Sequence, residues 1–104
     1  MSVIYKDQRV IKKVTIPDIK DSEVELYSTI LWGDLEKIYD TEGTELHKGR
    51  KALACLVKDW NLTDDKGVKL PITDEVFKQF TPSVINFLLS ETEFGKGDLL
   101  GKKK

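Results

Sequence analysis

A change in apolar spacing near residue 32 constrains the fold of this chain most. Residues 9–16 are rich in β-branched types, which predicts a strand with alternate residues on one face: Val10, Lys12, Val14 and Ile16. Pro17 and the polar residues after it predict a turn. Residues 23–31 begin by alternating charged and apolar types, which favours a second, antiparallel strand with Val24 and Leu26 on one face, although this run is also compatible with a helix.

Beyond Trp32 the apolar spacing becomes helical. A break at 32–34 precedes a short helix over 35–40, with Asp34 as its cap and Leu35, Ile38 and Tyr39 on one side. Thr44 is the predicted cap of a longer helix over 45–60. Its apolar side chains fall close to one stripe: Leu46, Leu53, Leu56, Val57 and Trp60.

The remainder of the chain contains turn and cap residues. Gly67 is suited to a positive φ in a polar turn, and residues 68–72 are predicted to be extended because Pro71 disfavours helix before it. Thr73 and Thr81 each precede a predicted helix, and Pro82 occupies the first position of the second one. We therefore predict an α+β protein with a small N-terminal antiparallel β-hairpin or sheet packed on a C-terminal helical bundle. Residues 1–94 form one domain, and residues 95–104 are predicted to be a flexible tail.

Composition and motif spacing do not favour an enzyme or a metal protein. The chain has 17 Lys and Arg against 18 Asp and Glu, so it lacks the basic excess of a nucleic-acid binder. Its single cysteine, Cys55, lies among apolar residues, and the only histidine, His47, is eight positions away. The acidic run at 59–65 does not have glycine at the sixth place of a calcium loop. We predict no catalytic, cofactor-binding or metal-binding residue.

The aromatic residues supply the candidate partner-binding surface. Four phenylalanines fall within the eighteen residues 77–94, which is more than short amphipathic helices must bury: Phe77, Phe80, Phe87 and Phe94. Two interpretations stay open, a surface that receives a partner and an ordinary core. Trp32 and Trp60 are expected to be core anchors, and either would become a candidate hot spot if exposed. Lys48, Arg50 and Lys51 form a basic patch for which a solvated face is the simplest interpretation.

Two segments resemble the tail assembly chaperones of long-tailed bacteriophages and prophages. The first comprises Val14-Thr15-Ile16-Pro17-Asp18, Val24-Glu25-Leu26-Tyr27 and Leu31-Trp32-Gly33-Asp34, and the second runs from Asp59 to Thr73 through Leu70-Pro71-Ile72. The resemblance implies a non-enzymatic protein of the host cytoplasm that binds the tape measure protein and helps to recruit tail tube subunits. It lends no active-site residues. Self-association is a further expectation, whereas a membrane or nucleic-acid partner is not expected.

Two other functions are compatible with the same residues. One is another small tail or connector protein of a phage particle, which a gene position away from the tape measure gene would favour. The other is a regulator in which residues 73–80 and 82–90 form a helix-turn-helix. The second predicted helix has no basic face and is followed by Glu91 and Glu93, which disfavours DNA binding.

Overall fold

The computed structural model describes residues 1–40 and 42–96 of the chain. Within them the sheet has three strands, β1 (Ile11–Val14), β2 (Val24–Tyr27) and β3 (Val57–Trp60), in the order β1-β2-β3. The helices of the described part are α1 (Trp32–Asp40), α2 (Glu45–Leu56), α3 (Asp74–Phe77), α4 (Pro82–Ser90) and α5 (Glu93–Lys96). The predicted α+β class, with an antiparallel sheet followed by packed helices, is confirmed.

The hairpin of β1 and β2 forms as its alternation predicts. Val14 pairs with Val24 and Lys12 pairs with Leu26, so these residues share the face that packs on the helices. Val24 and Leu26 are completely buried. The predicted face is only half correct for β1, because Val14 and Ile16 are buried but Val10 is 64% exposed. Lys12 reaches past the sheet to the Glu91 carboxylate, with 2.6 Å between Nζ and Oε1.

The predicted helix over 45–60 is wrong in its last four residues, which form the strand β3. The helix ends at Leu56, where Val57 adopts an extended backbone. Val24 pairs with Trp60 and Leu26 pairs with Val57, so one extra residue of β3, Lys58, bulges out of the ladder. The bulge puts Val57 and Trp60 on the same buried face although they are three positions apart. In a regular strand this spacing would place them on opposite faces.

Helix α1 is longer than predicted, since Trp32, Gly33 and Asp34 belong to it and do not form a break. Leu35 and Ile38 are buried as expected, but Tyr39 is 54% exposed. Thr44 caps α2 by accepting a hydrogen bond from the His47 amide. The same device caps α4, where Thr81 accepts from the Val84 amide and Pro82 follows at the first helical position. Thr73 precedes α3 without such a side-chain bond.

The described residues pack into two hydrophobic clusters. The larger one lies between the sheet and α2, α3 and α4, and includes Val24, Leu26, Trp60, Phe77 and Leu88. The smaller one joins α1 to α2 and includes Leu35, Ile38, Ala52 and Leu56. Leu89 packs against both, close to Gly49, where an added Cβ would lie 3.6 Å from Leu89 Cδ1.

The far end of the hairpin is fastened to β3 by side-chain hydrogen bonds. The Asn61 Oδ1 accepts from the Glu23 amide at 2.8 Å, and its Nδ2 donates to the Asp21 carbonyl at 3.1 Å. Asp21 has a positive φ of 66°, and Gly67 in the later turn has the predicted positive φ of 82°. Helix α5 runs to Lys96, two residues into the predicted tail. The rest of that tail, 97–104, lies outside the described residues.

Candidate protein-binding surfaces

The predicted phenylalanine surface divides between core and groove. Phe77 is 1% exposed and belongs to the larger hydrophobic cluster, so its ring is not available to a partner in this structure. Phe80 and Phe87 are half-buried and pack against that cluster from outside. Phe94 is also half-buried, but it packs against the smaller cluster. The four rings therefore do not form one continuous patch.

An aromatic triad explains why Phe77 is buried. The Trp60 ring meets Phe77 edge to face, with 5.8 Å between ring centroids, and Phe80 lies 5.8 Å from Trp60 and 6.1 Å from Phe77. Such arrangements are favoured by the quadrupoles of the rings. The Trp60 indole Nε1 donates to the Leu70 carbonyl at 2.8 Å, which satisfies its polar atom inside the core. Trp60 is thus the core anchor that its sequence context predicts.

A groove opens on the outer side of this triad. It has a volume of about 210 Å³ and lies between the first turn of α2 and the start of α4, with these lining residues: Leu46, Arg50, Phe77, Lys78, Phe80, Pro82, Ile85 and Asn86. Leu46 is 78% exposed, which corrects its predicted place on the buried stripe of α2. The stripe runs on past the end of the packed core, so its first residue borders the open groove. The groove is apolar at its centre and carries basic side chains at its edge.

A second cavity, of about 340 Å³, adjoins the groove along α2, and its lining residues are His47, Arg50, Lys51, Ala54, Cys55 and Asp74. The Arg50 guanidinium separates the two spaces and is held by Asp74, with 2.7 Å between Nε and Oδ1. It also approaches the His47 Nδ1 at 3.3 Å. Of the predicted basic patch, Arg50 is thus engaged in a partly buried ion pair, and Lys48 lies 5.8 Å from the Tyr39 ring centroid.

Cys55 lies in this cavity but has the wrong electrostatics for a nucleophile. Burial raises the pKa of its thiol, and the negative charge of Asp34 raises it further, while Lys37 and Lys51 oppose the change. An activated cysteine requires a depressed pKa, because the thiolate is the reactive form. Among the described residues, no group of three or more His, Cys, Asp or Glu side chains is placed to hold a metal ion.

The exposed face of α1 is the second apolar surface. Trp32 is 65% exposed, which corrects its expected place in the core and makes it the candidate hot spot. With Leu35, Glu36, Tyr39 and Asp40 it lines a cleft of about 210 Å³. Its indole Nε1 donates to the Glu36 carboxylate at 3.1 Å, which orients the ring along the helix.

Sequence reasoning missed Leu46 and Tyr39 as surface residues because periodicity identifies one face of a helix but not the length of its partner.

Comparison of the chain with protein-family models, with curated proteins and with solved structures found no match. Within residues 1–40 and 42–96, no helix combines the length and apolar character needed to cross a bilayer. The surfaces described above are therefore the observations from which function is argued.

Proposed function

We propose that this protein is a non-enzymatic tail assembly chaperone that holds an apolar helical segment of the tape measure protein in the groove between α2 and α4. The single observation that carries the proposal is the apolar groove itself, whose rim residue Leu46 is left 78% exposed. Large apolar side chains exposed around a concave surface are typical of protein-binding sites. The resemblance of 14–34 and 59–73 to the chaperone family supplies the identity of the partner.

The groove suits a helix better than an extended peptide. An amphipathic helix presents a narrow apolar stripe that fits between two helices. The walls here are α2 and α4, and the half-buried Phe80 and Ile85 form the accessible floor. Lys78 at the edge forms ion pairs with Asp74 and Glu75, at 4.0 Å and 3.7 Å, so the rim carries both signs of charge. Such a rim tolerates polar flanks on the bound helix without demanding one charge pattern.

Recruitment of tail tube subunits is the second part of the proposed role. The family resemblance is its support. It requires a surface that stays accessible while the groove is occupied.

Co-purification with fragments of the tape measure protein tests the groove. Leu46→Ser is the first variant, because Leu46 is exposed and its loss leaves the core intact. Phe80→Ser extends the test within the groove, and Phe87→Ser tests the rest of α4, because Phe87 does not line the groove. We expect Leu46→Ser to weaken capture by about tenfold, since an apolar contact at a groove is worth more than 1 kcal/mol. Val68→Ser is the matched control, because Val68 is 61% exposed and lies outside the groove. Unchanged capture by the folded groove variants would exclude this surface.

A further inference from the structure

The chain carries a short apolar arm that does not pack on its own body. Val3, Ile4 and Tyr5 are 87%, 82% and 79% exposed, respectively. These three residues precede β1 and lie outside any regular element. Single exposed apolar residues are common on protein surfaces, but three in succession form a contiguous apolar segment of the kind found at interaction sites.

The base of this arm is a hydrogen-bonded turn. The Asp7 carboxylate accepts hydrogen bonds from the Arg9 amide at 2.9 Å and from the Arg9 Nη2 at 2.7 Å. The Gln8 side chain donates to the Lys6 carbonyl at 2.8 Å. Arg9 itself lies on the sheet, with its guanidinium carbon 3.7 Å from the centroid of the Tyr27 ring. The Arg9 guanidinium thus contacts β2 at the base of the arm, and residues 3–5 before the turn are exposed.

The α1 face has the features that such an arm requires. Leu31, Trp32 and Tyr39 are 44%, 65% and 54% exposed, and the cleft between Trp32 and Tyr39 has an apolar floor at Leu35. Its other lining residues are the acidic Glu36 and Asp40. The arm presents three apolar side chains followed by the cation of Lys6. The charge of Lys6 is therefore complementary to that of the two acidic residues in the cleft.

We propose that residues 3–5 of a second copy of this chain dock in the α1 cleft, with Lys6 of that copy against Glu36 and Asp40. The occupant is a second copy, because in this structure the chain's own arm leaves both itself and the cleft exposed, with Ile4 82% and Trp32 65% exposed. Reciprocal exchange between two copies buries both arms and both clefts in one symmetric dimer. Glu36 already accepts from the Trp32 indole, and a carboxylate retains further acceptor sites for an ammonium group.

This contact is independent of the tape measure groove, which lies between α2 and α4. Loss of groove binding in Leu46→Ser would leave arm exchange intact, and loss of exchange would leave the groove intact. The two proposals can therefore fail separately.

The experiment uses the full chain in a concentration series reaching the millimolar range, followed by sedimentation equilibrium and by the indole N–H signals in ¹H–¹⁵N spectra. The two tryptophans give two indole signals. The expected result is a mass that rises towards the dimer, with a concentration-dependent shift of the Trp32 signal. The buried Trp60 signal serves as the internal reference.

Three single variants and one mixture identify the contact. Ile4→Ser and Trp32→Ser should each weaken self-association by about tenfold or more, because each removes an apolar anchor. Val68→Ser should leave it unchanged. Mixing the Ile4→Ser and Trp32→Ser chains should restore association in part, because the first retains its cleft and the second its arm. Lys6→Glu and Glu36→Lys should each weaken the dimer, and the combined variant should recover it.

Several outcomes would overturn the proposal. A chain that stays monomeric throughout the series excludes exchange. A Trp32 shift that Ile4→Ser abolishes but that does not depend on concentration places the arm on its own cleft. Dimers that survive both Ile4→Ser and Trp32→Ser but are lost in Leu46→Ser assign self-association to the groove.

Discussion

The two tryptophans of this chain show how differently its two aromatic regions are built. Trp60 is 4% exposed and is flanked by Phe77 and Phe80. Its indole N–H donates a hydrogen bond to the Leu70 carbonyl. Trp32 is 65% exposed on α1, and its indole N–H meets a side chain four residues along the same helix. The Trp60 ring packs against two phenylalanines distant in sequence, whereas the Trp32 indole is hydrogen-bonded within its own helix.

The difference teaches that burial depends on what lies opposite an element. Trp60 ends β3, which pairs with the central strand and faces α3 and α4. Helix α1 packs on α2 through Leu35 and Ile38, and its opposite side has no covering element among the described residues. An apolar residue there is left for solvent or for a partner. The comparison predicts that the Trp60 ring contributes more to stability than the Trp32 ring, and it is the exposure of Trp32 that motivates the proposed contact there.

The largest expected effect comes from removing each ring in turn. Trp60→Ala should lower the free energy of unfolding by about 3–5 kcal/mol, because it opens a cavity inside the triad. Trp32→Ala should change it by no more than about 0.5 kcal/mol, because that ring is mostly exposed. Urea denaturation measures both. Equal losses of unfolding free energy in the two variants would contradict the comparison. Trp60→Phe leaves the Leu70 carbonyl without its indole donor, and its loss of unfolding free energy should fall between those of Trp60→Ala and Trp32→Ala.

A pair of serines sharpens the comparison along the hairpin. Ser22 is 3% exposed, and its hydroxyl accepts from the buried Ile16 amide at 2.9 Å. Ser22→Ala should therefore cost about 1–3 kcal/mol, since a buried donor loses its acceptor.

Ser28 makes the same bond to the Val10 amide, at 3.2 Å, beside the arm. Water can replace that acceptor, so we expect Ser28→Ala to cost about 0.5 kcal/mol or less. Thermal unfolding of both variants checks the order, and a larger loss in Ser28→Ala would contradict it.

Two threonines test how much the helix ends contribute on the core side. Thr81 accepts from the Val84 amide at 3.4 Å, so Thr81→Ala should destabilise the protein by about 0.5–1 kcal/mol. Thr73 makes no side-chain cap bond, and Thr73→Ala should cost less. Chemical denaturation of the two variants side by side measures the difference. A Thr73→Ala loss equal to that of Thr81→Ala would show that cap bonding is not the cause.

The smallest expected effect is the loss of the hydrogen-bonded turn at 6–9 when Asp7 is protonated at low pH. Hydrogen bonds from the Arg9 side chain, and then from its backbone, lower the pKa of Asp7 from 3.8 to about 2. A lowered pKa means that the turn is favoured above the ordinary value of 3.8 and is lost as the pH falls through about 2. The Asp7 carboxyl ¹³C shift, followed by NMR, should show this midpoint. A midpoint near 3.8 would mean that the turn does not hold the arm, and Asp7→Asn should abolish the transition.

The sequence predicts the parts of this fold that depend on local chemistry. Alternation gives the hairpin with Val24 and Leu26 inside, the Thr44 and Thr81 caps follow from side-chain hydrogen bonding, and Gly67 supplies the positive φ. These features arise within a few residues of chain. The sequence also identified Phe80 as a candidate surface residue and Trp32 as a candidate hot spot if exposed, because both are large aromatic residues.

Tertiary structure decided where those side chains lie. Val57 and Trp60 have helical spacing. They share one face of a strand only because β3 pairs with β2 and bulges at Lys58. Leu46 continues the buried stripe of α2, but the helix is longer than the core beneath it, so Leu46 borders an open groove. Trp32 is exposed because the side of α1 opposite α2 is uncovered in the described part of the chain. Periodicity defines which residues share a face, and the packing of distant elements decides whether that face is core or surface.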